Sequence, residues 1–412
     1  MTEVAPAWTE RRVHHPDAPG LGALVPDPVD FLTADFDRRL VLTPDRDVAA
    51  FATPASLWAD VVERGARTPT FRLVRNGATL APSTYCRRAG VGHRTITDVI
   101  QPNRVLELHA AGATMVVQGL QLTDPHLARV ANNLALDLEQ PVQVNAYMTP
   151  QAAKGLELHF DYHDVFVVHL EGSKRWRVWE PLERTRLPVR AARVAMPTLD
   201  ELGRPCLDRV FRPGDVLYLP RGFPHAAETV DAASAHLTIG VVGLSWHQAV
   251  RHAVDDAVAA GALRATVRLD GSSRPGLEEL GTHLAPDAVR RWLAREVWRR
   301  QPATRLRPRV APAVELDTSV RLTPGPLLWL AADGPRCELG LGDRALSLPA
   351  EAHRFLAALL ATDGPFRLAA LDADLDAGSR LVVGRRLVEE GVLEVTEVTE
   401  VIEVIEVIEP GA

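Results

Sequence analysis

Apolar positions along this chain follow two periods, and the change between them divides it. Up to about residue 245 the apolar runs are short, alternate with polar residues or are wholly apolar, and stop at Gly, Pro, Asn or Asp. Such runs predict β-strands and tight turns. "PVDFLTADFDRRLVL" predicts a short helix running into a strand, and "TPASLWADVVER" a helix that Thr53 or Ser56 can cap. "TFRLVRNGATL" predicts a hairpin about Asn76-Gly77. "ATMVVQGL" and "PVQVNAYMTP" read as strands on either side of an amphipathic helix, "PHLARVANNLALDLE". Residues 159–179, "HFDYHDVFVVHLEGSKRWRVW", read as two strands about a Glu171-Gly172-Ser173 turn. "LDRVFRPGDVLYLPRGFPHAAETV" turns at Pro213-Gly214-Asp215, and "SAHLTIGVVG" is a further strand. Many short strands with close turn signals predict a β-sandwich or barrel of the jelly-roll kind.

From Ser245 the period becomes helical. "SWHQAVRHAVDDAVAAGALRATVR" and "PGLEELGTHLAPDAVRRWLAREVWRRQ" predict helices, a region suited to packing on a second subunit or on an open face of the same one. After an Arg/Pro-rich linker, "PAEAHRFLAALLA", "RLAALDA" and "DAGSRLVVGRRLVEEGVLEV" predict three helical pieces ending in a strand, the layout of a winged helix. The expected division is a loose lead-in (1–30), a β-rich domain (31–245), a helical dimerisation region (246–310), a winged-helix-like domain (321–395) and an acidic low-complexity tail (396–412).

Composition changes this picture in three places. The 412 residues contain only three cysteines, Cys86, Cys206 and Cys337, too far apart for a disulfide framework or a zinc knuckle. With no apolar run long enough for a membrane helix and no secretory signal at the N-terminus, a cytoplasmic location is expected. From Arg321 onward eight Arg and no Lys face sixteen Asp plus Glu, so the winged-helix region is not expected to bind DNA. Of 46 basic residues only Lys154 and Lys174 are lysines. In a chain so biased to arginine, a retained lysine draws scrutiny. Lys154 falls in the loop "TPQAAKGLE" and reads as solvent-exposed.

The 159–179 stretch opens with His159, Asp161 and His163 at every second position. In a strand these share one face, where a core would demand apolar residues. An imidazole and a carboxylate side by side need one more imidazole for the 2-His-1-carboxylate set, which leaves positions open on non-haem Fe(II). His225, after the Pro-Arg-Gly-Phe-Pro turn, is the preferred third ligand and His163 the second choice. His169 shares the face and reads as a hydrogen-bonded interior residue. Lys174 follows the hairpin turn on the strand returning toward this set. It is either a solvated hairpin-end lysine or a fixed cation for the distal carboxylate of a 2-oxoglutarate co-substrate.

"NAYMTPQAAKGLELHFDYHDVFVVHLEGSKRWRVWEP", "GDVLYLPRGFPHAAE" and "SAHLTIGV" together resemble the JmjC-type cupin family of ribosomal oxygenases. The resemblance extends from about Phe31 to Val395. It implies a β-rich α+β fold with a double-stranded β-helix (jelly-roll) core, a helical dimerisation region and a C-terminal winged helix. His159, Asp161 and His225 match the family's iron ligands, and Lys174 matches its anchor for 2-oxoglutarate. Asn145 and Tyr147 match the "N-x-Y" of the co-substrate pocket, and Thr238 is a further pocket position. Position 169 is His where the family has Gln. The activity implied is Fe(II)-, 2-oxoglutarate- and O2-dependent hydroxylation of a side chain, of His or Arg type at the β-carbon, in a ribosomal protein. The competing expectations are a precursor peptide as substrate, demethylation of methyl-lysine, and a non-catalytic metal-binding cupin. The expected partners are that protein or peptide substrate and a second copy of the chain, without DNA or membrane.

Overall fold

The computed structural model describes residues 8–151, 153, 157–185, 194–261, 277–302, 312–371 and 374–396. Lys154 and the 397–412 tail lie outside them. The chain divides into two compact units, one of residues 14–304 and one of residues 1–13 with 305–412.

The larger unit holds an eight-stranded sheet. Its order is Val41–Thr43, Val216–Leu219, Asp164–Glu171, Ser234–Val241, Val142–Thr149, Thr114–Val117, Phe71–Arg75 and Ala78–Thr79. A three-stranded sheet, Leu207–Phe211, Lys174–Val178 and His225–Thr229, faces it. All recorded pairs in both sheets are antiparallel. Val165, Val167, Leu217 and Leu219 of the first sheet pack with Trp176, Val178 and Phe211 of the second. The two sheets are the walls of a double-stranded β-helix, and this is the jelly-roll that the strand pattern predicts.

Local chemistry explains the turns and caps. Asn76 and Gly77 both take positive φ, as a two-residue hairpin turn requires. Thr53 caps the Pro54–Val62 helix reciprocally with Ser56, so both candidate caps act. Gly172 has φ +68°, and a Cβ there would sit 1.9 Å from the Ala233 carbonyl oxygen. The return from Glu171 to Lys174 therefore requires glycine. Asp124 caps the Pro125–Leu138 helix, whose buried face covers the sheet.

The structure departs from the sequence reading at four points. The strand that carries the 159–179 signature begins at Asp164, and His159, Asp161 and His163 precede it in a bent segment. A hairpin, Cys86–Val91 with Arg94–Ile100, and the Pro102–Ala110 helix fill a stretch that the apolar pattern left without elements. The helix opening at Trp246 ends at Ala259, ahead of Gly261, with residues 262–276 outside the described ones; Leu277–His283 and Pro286–Arg299 follow it. The lead-in contains a strand, Trp8–Arg11.

That strand belongs to the smaller unit. It pairs with Leu328–Asp333, which continues to Arg336–Leu341 and Ala345–Pro349 in a four-stranded sheet. Trp8 stacks on Trp329 with ring centroids 5.0 Å apart. The helices His353–Leu360 and Ala377–Glu389 and a three-stranded sheet (Phe366–Arg367, Ser319–Leu322, Leu393–Val395) complete the unit. "RLAALDA" contributes one 3-10 turn, Leu368–Ala370. The core of the unit is mostly aliphatic, with Phe355 packed among Leu356, Leu359 and Leu387.

Candidate active site

The strand register builds the floor of a cavity. Tyr147 pairs with His236 and Asn145 with Thr238 across adjacent strands, so each pair projects to one side. Arg72 joins the first row through Val116. The opposite sheet supplies Lys174, Trp176 and His225. The space enclosed is about 300 Å³. All seven residues singled out from the sequence, Asn145, Tyr147, His159, Asp161, Lys174, His225 and Thr238, line it.

His159, Asp161 and His225 converge. One donor atom from each lies within 4.8 Å of the others. What brings them together is a two-residue bridge rather than strand alternation. His159 N–H donates to the His225 carbonyl at 3.1 Å, and His225 N–H returns the bond at 2.8 Å. The imidazoles lie 4.3 Å apart between centroids, and His225 Nε2 is 3.8 Å from Asp161 Oδ2.

The ring orientations are set from behind. His159 Nδ1–H donates to the Glu157 carbonyl at 2.8 Å, and His225 Nδ1–H to the Phe223 carbonyl at 3.0 Å. Each Nε2 then carries a free lone pair, the arrangement of a metal-ligating histidine. Burial lowers the His225 pKa, and the neighbouring His159 adds to the effect. The neutral, ligating form is favoured.

A second tie fixes the loop before His225. Gly222 N–H donates to the Asp161 carbonyl at 2.8 Å, and Arg221 N–H donates to Asp164 Oδ1 at 2.8 Å. The Arg221 guanidinium reaches out to Asp37 at 2.7 Å. Asp164 is 1% exposed, and burial raises its carboxyl pKa to about 6 against the opposing Arg221 N–H. One buried carboxylate thus joins the segment carrying Asp161 to the loop carrying His225.

His163, the second choice for third ligand, takes no part in the converging set. It accepts a hydrogen bond from Gln143 Nε2 at 3.3 Å and packs on Gly240, where a Cβ would lie 2.7 Å from the ring. His169 is fully buried, with Nε2–H donating to the Gly172 carbonyl at 3.1 Å. It stabilises the turn, as an interior residue would.

Lys174 is 3% exposed, which excludes the solvated alternative. Its Nζ donates to Thr149 Oγ1 at 3.3 Å, and no carboxylate pairs with it among the described residues. Burial lowers its pKa to about 7. Around it, Trp176 Nε1 and His236 Nδ1 are buried without hydrogen-bond partners among the described residues. Unpaired buried polar atoms cost stability unless a ligand completes them, and the Trp176 indole N–H can only donate. This wall of the cavity is therefore suited to an anion.

Tyr147 lies between the ends of the site. Burial raises its pKa to about 12, with Asp161 adding to the effect and Arg72 opposing it. It is a neutral donor at physiological pH. Asn145 Oδ1 accepts from Gly119 N–H at 3.0 Å, which orients the side-chain amide.

The sequence reading missed Arg72, Gln118, Gln143 and His236, which also line the cavity. His236 had a signal, since it alternates with Thr238 in "SAHLTIGV". Arg72 had none, because only the pairing of distant strands brings it here.

Among the described residues no helix is long and apolar enough to cross a membrane. A family model for the JmjC domain matches residues 120–249, which carry the converging histidines, Asp161 and Lys174. The sequence is similar to ribosomal oxygenase 2 of Rattus norvegicus, 39% identical over 129 residues, 31% of this chain and 27% of that protein. It is also similar to the bifunctional lysine-specific demethylase and histidyl-hydroxylase NO66 of Drosophila willistoni, 43% identical over 101 residues, 24% of this chain and 13% of that one. The chain thus spans less than a third of the length of these curated relatives. The fold matches the crystal structure of the Escherichia coli ribosomal oxygenase YcfD with a TM-score of 0.54 and 16% identity, over 90% of this chain and 99% of that one. It also matches YcfD in complex with cobalt and 2-oxoglutarate, TM-score 0.53 and 17% identity, over 90% and 98%. Converging ligands, buried lysine and double-stranded β-helix agree with these matches: residues 120–249 of this chain are a JmjC domain on a cupin-type jelly-roll core.

Proposed function

We propose that this protein is an Fe(II)- and 2-oxoglutarate-dependent oxygenase that hydroxylates a side chain of a protein, with a ribosomal protein as the substrate class. The observation that carries the reading is the pairing, in one cavity, of a His-Asp-His donor set with a buried lysine that lacks a counter-ion. A metal-binding module without a co-substrate has no use for such a cation. The substrate class is taken from the ribosomal oxygenases that the JmjC segment resembles.

The donor set fits a divalent metal of the iron type: two imidazoles and one carboxylate, with further positions left open. His159, Asp161 and His225 would hold Fe(II), which together with 2-oxoglutarate and O2 supplies the oxidising chemistry. The chain's own residues then have distinct tasks. Glu157 and Phe223 carbonyls hold the two imidazoles in the ligating tautomer. Lys174, with Thr149, holds the distal carboxylate of the co-substrate by a charge-assisted hydrogen bond. Asn145, Tyr147 and Thr238 line the space between and offer neutral hydrogen bonds. Val165 and Val167 make the remaining wall apolar and exclude water from the reacting centre.

Arg72 is a second cation in the lining of this cavity. It donates to Gln118 Oε1 at 3.3 Å and meets no carboxylate among the described residues. It disfavours a cationic target such as methyl-lysine or arginine and favours a neutral one. Of the His and Arg classes expected for β-hydroxylation, we take histidine.

We further infer that the 246–310 region pairs two copies of the chain. Trp246, Val250 and Val258 are exposed at helical spacing on the first helix of that region. The test of the function is incubation of the Fe(II)-loaded protein with 2-oxoglutarate and a ribosomal protein fraction from its source, followed by peptide mass mapping. The reading predicts one added oxygen on a histidine. It fails if no peptide gains oxygen while the same preparation consumes 2-oxoglutarate.

A further inference from the structure

Residues 67–97 contain six arginines, Arg67, Arg72, Arg75, Arg87, Arg88 and Arg94, and no carboxylate, in a chain whose formal net charge is −7. The structure separates these arginines by task. Arg67 is neutralised by a bidentate pair with Asp98, at 2.6 and 2.9 Å. Arg72 lines the cavity. Arg75, Arg87, Arg88 and Arg94 are exposed, and no guanidinium of theirs has a carboxylate or hydrogen-bond partner among the described residues.

Arg204, Arg212, Arg251 and Arg367 are also exposed without a side-chain partner among the described residues, but they stand singly, and the arginines of two other clusters are paired. In the Pro286–Arg299 helix and just beyond it, Arg290 pairs with Asp287, and Arg299 and Arg300 both pair with Glu296. In the smaller unit Arg385 pairs with Glu315, and Arg386 with Glu390. Those positive charges are cancelled where they arise. The charges of the 67–97 segment are not.

The segment also reaches the cavity, through Arg72. Phe71–Arg75, the strand of Arg72 and Arg75, belongs to the large sheet. The Cys86–Val91 and Arg94–Ile100 hairpin is tied to it by the fully buried Tyr85, whose ring packs edge-on against Phe71 at 5.7 Å, and by an Arg67–Val99 bridge. A hairpin displaying unpaired arginines, with Gly90, Gly92 and exposed Thr95 and Thr97, offers donors at many angles to a chain of phosphates. Its exposed side chains include no Phe, Tyr or Trp, and His93 at the turn is their one ring, so the arginines direct the surface to the backbone of a structured nucleic acid rather than to a run of unpaired bases.

We propose that Arg75, Arg87, Arg88 and Arg94 form a docking surface for the phosphodiester backbone of structured RNA, beside the mouth of the oxygenase cavity. Given the ribosomal substrate class proposed above, on which this last step rests, the target segment would be presented while its protein is on RNA. RNA binding itself does not depend on that step.

The experiment is fluorescence anisotropy with the full chain and a labelled RNA hairpin, a DNA duplex of matching sequence and polyglutamate. Four phosphate contacts predict that affinity falls roughly a hundredfold between about 50 and 200 mM salt. The triple variant Arg87→Gln, Arg88→Gln, Arg94→Gln should flatten the slope of log affinity against log salt by about 2 to 3. A control triple, Arg380→Gln, Arg385→Gln, Arg386→Gln, should leave the slope unchanged. These hairpin residues lie outside the catalytic cavity, so 2-oxoglutarate turnover without substrate stays at the wild-type value in the hairpin variant. The proposal is overturned if wild type does not bind the hairpin RNA, if the control triple abolishes binding instead, or if polyglutamate binds as tightly. Tighter binding to the DNA duplex than to the RNA would reassign the surface to DNA. None of these results depends on whether the iron centre turns over.

Discussion

Replacing Lys174 by Met removes an ammonium that has no counter-ion and keeps a side chain of similar length. Burial lowers the pKa of Lys174 from 10.5 to about 7. Each pKa unit corresponds to about 1.4 kcal/mol, so the charged form costs the folded state about 5 kcal/mol. The sign follows from linkage. Between pH 7 and 10.5 the unfolded chain binds more protons than the folded one, so stability rises with pH across that window. Below about pH 7 the full penalty is present. Lys174→Met abolishes it. At pH 6 the ligand-free variant should melt several degrees above wild type, and by pH 10 the difference should shrink. The same variant should lose 2-oxoglutarate binding, since the distal carboxylate then meets a thioether. Differential scanning fluorimetry from pH 6 to 10, with and without 2-oxoglutarate, reads both effects. A variant less stable than wild type at pH 6, or one that 2-oxoglutarate still stabilises fully, would refute the anchor role.

Further predictions concern the other parts of the site. Asp161→Ala should lower cobalt(II) affinity at least a hundredfold by equilibrium titration, while His163→Ala should leave it within a few-fold, because His163 stands apart from the converging donors. Asp164→Ala should weaken cobalt(II) binding about tenfold and change the visible spectrum of the bound ion, as loss of an outer partner does. Asp164→Asn, which keeps the acceptor for Arg221 N–H, should restore most of it. Gly172→Ala should cost more than about 2 kcal/mol by chemical denaturation, from a left-handed backbone and a clash with the Ala233 carbonyl. Trp246→Glu should abolish the pairing of two copies proposed for residues 246–310, read by analytical ultracentrifugation, with the metal site intact.

The parts of this fold that were legible in the sequence are those whose causes are local. Asn76-Gly77, the Thr53 cap and the Gly172 turn each act through their own backbone, and the structure shows each where the chain spelled it. The apolar run "VFVVHL" is wholly buried, as a strand covered on both faces must be. The strand Trp8–Arg11 was not legible, because its partner strand begins at Leu328 and a four-residue run is too short to show a period of its own.

The candidate site shows the same division. His159, Asp161 and His225 were found through residue type and spacing, but strand alternation was the wrong reason. The segment leaves the sheet before Asp164, and reciprocal backbone bonds between His159 and His225 do what alternation was expected to do. Lys174 stood out by being a lysine at all. Arg72 and Gln143 were invisible, since only the lateral order of the eight-stranded sheet carries them to the cavity. The arginines of the 86–100 hairpin were visible as letters, but their freedom from carboxylates is a property of the folded surface.

The measurement that tests the central claim most directly is succinate formation from 2-oxoglutarate by anaerobically Fe(II)-loaded protein once O2 is admitted. Wild type is compared with Asp161→Ala and Lys174→Ala. The account predicts iron-dependent succinate with wild type, none with Asp161→Ala, and with Lys174→Ala turnover only at greatly raised 2-oxoglutarate. Wild type that forms no succinate with iron bound, or Asp161→Ala that turns over as wild type does, would contradict it.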